Sequence, residues 1–237
     1  MVLALALAAA LPASALLIRP DRDDAEYLEL ATKYPSSIAL NAPDGEGVLI
    51  SARWILTAAH RVAALQQVKP TARIRIRERD YEIESFHPHP DWRKGSSQSD
   101  IGLLHLKRGV ASIDPTPLYR GDDEGGKAVI IVGHGGDGKK RAGINTIDKV
   151  APRMLSTRIK PPDEASDLQG RATPGDSGGP AFIETPQGIW VGGIGSTAEG
   201  DWELYARVSF FVPWIEAVML DAEKRAIETL LDGSGRN

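Results

Sequence analysis

The chain contains no cysteine among its 237 residues. A disulfide framework and a cysteine-linked lipid anchor are therefore excluded, and stability must come from a packed core. Positive charge is not in excess either. The 28 Lys and Arg are outnumbered by 32 Asp and Glu, for a formal net charge of -4. That balance offers no electrostatic footprint for nucleic acid and no basic face for an anionic membrane. The one basic stretch, Arg73, Arg75, Arg77 and Arg79, alternates with Ile74 and Ile76, as the outward face of a half-buried strand does. Low-complexity tracts and repeats at a solenoid period are missing, which sets aside linker-like and array architectures. Long uncharged apolar sequence is confined to residues 1–18, rich in Leu and Ala. Pro12 interrupts it, its length is marginal for a membrane span, and Ala13-Ser14-Ala15 has the small-x-small pattern of a cleavage site. The expectation is a signal peptide over residues 1–15 and no membrane attachment once it is removed. Export without cysteine fits a bacterial periplasmic or secreted protein.

What is present is a rhythm of short apolar runs broken by Gly, Pro, Asn and Asp. Val48-Leu49-Ile50, Trp54-Ile55-Leu56 and residues 101–106, 128–132 and 189–194 are examples. Such spacing reads as an all-β barrel or sandwich, with the polar stretch 114–126 separating two β halves. Helical periodicity is convincing only over residues 214–231. There Ile215, Val218, Met219, Ala222, Ala226, Ile227 and Leu230 follow i, i+3, i+4 spacing between Pro213 and Gly233. A C-terminal amphipathic helix packed on the β body is expected.

Three segments carry chemistry. Thr57-Ala58-Ala59-His60 follows an apolar run, Asp100 opens Ile101-Gly102-Leu103-Leu104, and Gly175-Asp176-Ser177-Gly178-Gly179-Pro180 is a glycine-flanked serine. A serine hydroxyl is a weak nucleophile at neutral pH and needs an adjacent base. Flanking glycines allow a tight turn that exposes the hydroxyl and gathers backbone N–H groups in one small space. Each such donor stabilises an oxyanion by about 3–4 kcal/mol. The segment also fits the G-x-S-x-G elbow of α/β-hydrolases, and chain order decides between the two. All five histidines (His60, His87, His89, His105, His134) precede Ser177, which leaves a Ser…Asp…His enzyme without a base. An Asp…His…Ser order needs an acid before His60, and Asp21, Asp23, Asp24 and Asp44 lie in loop-like polar sequence. His…Asp…Ser, the chymotrypsin-type order, is respected.

The same segments resemble the trypsin/chymotrypsin family across nearly the whole chain after the leader. Gly47-Val48-Leu49-Ile50 through Ala58-Ala59-His60 resembles the family's G-x-L-I…W-x-L-T-A-A-H, and His87-Pro88 with Ser99-Asp100-Ile101-Gly102-Leu103-Leu104 resembles its H-P…N-D-I-A-L-L. Gly175 to Pro180 is its G-D-S-G-G-P unchanged, and Tyr205-Ala206-Arg207-Val208…Trp214-Ile215 resembles its closing Y-T-x-V…W-I. The resemblance implies a protease domain over 16–237, made of two six-stranded Greek-key β-barrels (about 36–118 and 119–211) and a C-terminal α-helix (about 212–232). It implies His60 as general base and acid, Asp100 as its orienter and Ser177 as the acylated nucleophile. The amides of Gly175 and Ser177 would form the oxyanion hole. A monomeric endopeptidase acting on protein or peptide substrates follows, with no metal and no organic cofactor. The rival readings are a catalytically silent homologue serving as a binding module, and an esterase on the same fold. His87 and His89 form an i, i+2 pair in a Pro-rich loop, and His105 and His134 have no companions at ligand spacing.

Three departures from the family matter. Its cysteines are missing, so Arg61 follows the histidine directly. Its Ile-Val-Gly-Gly activation terminus is also missing. Leu16-Leu17-Ile18-Arg19 is a poor substitute, so Asp176 is expected to find another partner and signal cleavage alone to give active enzyme. Finally, the residue aligned with the specificity-pocket floor is Arg171, which should repel Lys and Arg side chains and suits acidic ones. Glu203 maps nearby, so a buried Arg171–Glu203 pair that narrows the pocket is expected. The opposite wall runs through Gly195, Ser196, Thr197 and Ala198.

Overall fold

The computed structural model describes residues 16–40, 45–67, 72–134 and 137–234, so the expected leader lies outside the described residues. A two-residue strand β1 (Leu17–Ile18) precedes helix α1 (Asp24–Ala31). Asp23 caps α1 by accepting the Ala25 N–H at 3.0 Å, and Asp24 and Glu26 in its first turn complement the helix dipole. Tyr27 and Ala31, one turn apart, form its buried face.

Six strands then build the first barrel. They are β2 (Ser37–Ala39), β3 (Glu46–Ser51), β4 (Trp54–Thr57), β5 (Arg73–Ile76), β6 (Arg79–Pro88) and β7 (Gly102–Leu106), with helix α2 (Ala59–Gln67) between β4 and β5. Their order is β2-β3-β4-β7-β6-β5, and the two edge strands curl round into contact. The Arg73–Ile76 alternation is as expected, with Ile74 and Ile76 buried and both arginines outward. The second barrel takes β8 (Ala128–Gly133), β9 (Arg141–Ala151), β10 (Met154–Arg158), β12 (Pro180–Thr185), β13 (Gly188–Glu199) and β14 (Trp202–Arg207). It is closed in the order β10-β14-β13-β12-β8-β9, while β11 (Gly170–Arg171) stays outside and pairs with β1. Both barrels thus share one path. Three consecutive strands lie side by side and the fourth returns beside the first, which is a Greek key.

The apolar runs have a common physical cause. Along β8, Val129 and Ile131 point into the core of the second barrel, while Ile130 and Val132 point into a seam shared by both barrels. Along β4 and β7, Ile55 and Leu104 fill the first barrel while Leu56 and Leu103 join the same seam. Strands buried on both faces lose the in-out alternation and read as continuous hydrophobic sequence. Each fully buried side chain of this kind stabilises the fold by about 1.5–3 kcal/mol relative to exposure.

The C-terminal helix is present, but its bounds differ from those expected. Helix α3 runs Val208–Ser234 and carries Pro213 inside it. Buried Val208, Phe211, Val212 and Ile215 anchor its first turns, and Arg207 and Ser209 both bond the fully buried Glu124. This anchoring outweighs the one backbone bond that Pro213 cannot donate. Packing on the body extends to Ala222, after which Ala226 and Ile227 are exposed rather than packed. A 27-residue helix is about 40 Å long, more than the barrel face beneath it can cover.

Candidate active site

His60 stands at the start of α2, one residue after the strand β4 run and Ala58-Ala59 are swallowed by the core. Asp100 lies just before β7 and is buried. Ser99 beside it takes a positive φ of 55°, rare for a non-glycine residue, and its Oγ receives Arg153 Nη1 at 2.6 Å. The turn aims the Asp100 carboxylate at His60 from two directions. Oδ1 accepts the His60 backbone N–H at 2.9 Å, and Oδ2 meets ring Nδ1 at 2.7 Å. Ser196, from the second barrel, donates its Oγ to the same Oδ2 at 2.7 Å. In the tautomer that places a proton on Nδ1 between ring and carboxylate, Nε2 carries the ring's lone pair.

Ser177 follows a 3-10 turn, Pro174–Asp176. Asp176 does find another partner, since its Oδ2 accepts the Thr173 N–H at 2.7 Å and the Thr173 hydroxyl at 2.9 Å. The Ser177 hydroxyl makes a long bond, 3.4 Å, to the Pro174 carbonyl. Gly178 has φ +85°, and a Cβ there would fall on Thr57 Oγ1 and the Glu46 carbonyl. Only glycine fits a turn pressed so closely against the strand that leads to His60. The turn is gripped from both barrels: Glu46 N–H donates to the Ser177 carbonyl at 2.9 Å, and Gly178 N–H donates to the Gly195 carbonyl at 2.8 Å.

Beside the serine lies a cavity of about 590 Å³. Arg171, Ser196, Thr197, Ala198 and Glu203 all line it with Ser177, as do Gly195 and Leu17 of β1. The expected Arg171–Glu203 ion pair is not formed. Arg171 Nη2 donates instead to the Gly200 carbonyl at 2.6 Å. Glu203 is satisfied by four other donors: the Ala172 N–H (2.5 Å), Tyr205 Oη (3.0 Å), Asn145 Nδ2 (3.1 Å) and Thr157 Oγ1 (3.3 Å). Uncharged donors at hand remove the need for a guanidinium, and Arg171 keeps its charge at the cavity. Burial still pushes the Glu203 carboxyl above the usual carboxylate range.

One pair escaped sequence reasoning. Glu46 of β3 is buried, and its carboxylate takes the His134 backbone N–H at 2.9 Å and meets His134 Nδ1 at 2.8 Å. Burial pushes Glu46 up, with His134 pulling against that shift and Asp176 adding to it. An acid inside the apolar strand Glu46–Ser51 was the available signal, because a buried carboxylate demands a partner. That partner is 88 residues away, beyond any local pattern. Close by, Lys140 Nζ bonds the Tyr34 and Ser37 carbonyls, and burial pulls its ammonium down to about 8.

Comparison with known proteins agrees with this architecture. The Trypsin family model matches residues 30–215. The serine protease SP24D of Anopheles gambiae is 30% identical over 210 residues, covering 79% of this chain and 77% of the relative. An insect relative gives the bacterial expectation no support. No helix among the described residues is long and apolar enough to cross a membrane. A matched family model over most of the chain, a relative 30% identical across most of both chains and two Greek-key barrels lead to one assignment: the chain belongs to the trypsin family.

Proposed function

We propose that this chain is an active, exported serine endopeptidase working through an acyl-enzyme. The observation that carries the reading is the Asp100 carboxylate, which takes both Nδ1 and N–H of His60 and the hydroxyl of Ser196. Such a site holds the imidazole in the tautomer whose Nε2 can take a proton, and stabilises its cationic form. In the reaction the Ser177 hydroxyl swings from the Pro174 carbonyl to Nε2, loses its proton and attacks the scissile carbonyl. His60 then delivers that proton to the leaving amine, and water hydrolyses the acyl-serine in the reverse sense. The amides of Gly175 and Ser177 are assigned to the oxyanion of each tetrahedral intermediate. A binding-only homologue would have no use for this set of bonds.

Activation by leader removal alone fits the packing. Leu16 is buried against Gly143 and Gly170, and β1 pairs with β11 at the cavity edge. The test is a fluorophosphonate probe on the chain beginning at Leu16, beside Ser177→Ala. Stoichiometric labelling of the parent and none of the variant is expected. A folded parent that stays unlabelled makes the binding-module reading the better one.

A further inference from the structure

We propose that Glu46 and His134 act as a positioning pair for the nucleophile, a second acid–imidazole couple that sets the Ser177 turn without touching substrate. This rests on the reading of Ser177 as the nucleophile.

Glu46 links three walls of the site. Its backbone N–H holds the Ser177 carbonyl at 2.9 Å. Its carbonyl accepts the Thr57 hydroxyl at 2.6 Å, on the strand that leads into His60. Its carboxylate clamps both N–H and Nδ1 of His134, which directly follows β8 in the second barrel. The backbone bonds alone would allow strand β3 to slide or tilt against the second barrel. The carboxylate prevents this, because two donors on one residue fix distance and angle together.

The nucleophile turn lies within this clamp. Its Ser177 carbonyl is tied to Glu46 of the first barrel, and its Gly178 N–H is tied to Gly195 of the second. Displacing one barrel against the other therefore rotates the Ser177–Gly178 peptide unit, and through the Ser177 Cα it shifts the hydroxyl and the adjoining Ser177 N–H expected to face the oxyanion. Positioning errors of this kind slow the chemical step while leaving ground-state binding intact. Of the neighbouring charges, Lys140 has bonds of its own to the Tyr34 and Ser37 carbonyls, and Asp176 is a second carboxylate with no proton to offer, so neither replaces His134 on the Glu46 carboxylate.

The experiment measures the maximal labelling rate and the half-saturating concentration of a fluorophosphonate probe. It compares the parent with Glu46→Gln, His134→Ala, His134→Asn and Ser177→Ala, each with a thermal melt. An asparagine amide lies close to where Nδ1 lies, so it keeps a donor for the carboxylate. His134→Ala and Glu46→Gln should lose about tenfold in maximal rate, as one charge-assisted bond is worth, at unchanged half-saturation. His134→Asn should return to within about threefold of the parent, by virtue of the retained donor. Parent-like rates in His134→Ala overturn the proposal, as do equal losses in His134→Ala and His134→Asn, which would signal mere packing. A parent that does not label, like Ser177→Ala, defeats the nucleophile reading itself, and a labelled parent with unaffected variants defeats only the pair.

Discussion

Ser196 of the second barrel donates its hydroxyl to the carboxylate of Asp100 on the first, Oγ to Oδ2 at 2.7 Å. The bond crosses the seam and lands on the oxygen that holds His60 Nδ1. Asp100→Asn should keep the fold but present an amide where a proton acceptor is needed. Labelling of Ser177 should drop by about 10⁴-fold, the loss typical of this change in a Ser-His-Asp site. Ser196→Ala should cost about tenfold, the equivalent of one bond to a charged group. An unchanged rate in Ser196→Ala would mean that the cross-seam bond does not aim the carboxylate.

Gly178→Ala tests the crowding behind the nucleophile. The added methyl meets Thr57 and Glu46 in a backbone conformation that L-residues avoid. Strain of this kind costs about 1–3 kcal/mol before any clash is counted. The variant should melt lower than the parent and lose labelling, and a parent-like melt with full labelling would show that the turn has room to spare.

Arg171 keeps its charge at the edge of the cavity because Glu203 is satisfied by other donors. Peptide libraries should show little cleavage after Lys or Arg and a preference for acidic side chains. Arg171→Ala should lower kcat/KM for acidic peptides by about tenfold or more, in line with a lost charge-assisted contact. Clear cleavage after basic residues in the parent would place Arg171 outside the specificity-determining set.

Three partly buried histidines predict acid sensitivity. His89 meets Phe211 edge-on and Trp214 at a tilt, His105 stacks on Trp54, and His87 bonds Ser85 Oγ at 2.8 Å. Burial pushes all three below the usual histidine value, helped by Arg225 at His87, Arg153 at His89, and Arg53 and His87 at His105. Their depressed folded values mean that the neutral ring is the native form. The stability they contribute is complete above the unfolded value of about 6.5 and is lost as pH falls towards and through the folded values. Melting temperature should hold between pH 8 and 7 and decline below about 6.5, the ordinary histidine value. His89→Gln should flatten that decline. A decline of the same slope in His89→Gln would exclude His89 as a contributor.

The family and its barrels were far more legible than the contacts around the candidate site. A motif such as Gly175 to Pro180 is local, and its glycines are demanded by a turn that sequence can display. Strands buried on both faces also advertise themselves as apolar runs. Helices α1 and α2 were missed because each buries only two or three residues and offers too few turns for a period to emerge. The Arg171–Glu203 pairing failed for a different reason. Position in a motif identifies who lines a pocket, but whether two charges meet depends on neutral donors such as Asn145 and Tyr205, which come from other strands. The Glu46–His134 couple showed only its acid, set in an apolar strand, because the partner lies 88 residues away.

The arrangement of the barrels has a consequence for how the molecule should be assayed. On the proposed mechanism, base and orienter belong to one half of the chain, while the nucleophile and most of the pocket belong to the other. Neither half would then hold a reactive serine by itself. A covalent probe of Ser177 therefore counts docked halves rather than folded ones, and a chain whose barrels had each formed but not yet closed would look native by its strands and silent by its chemistry.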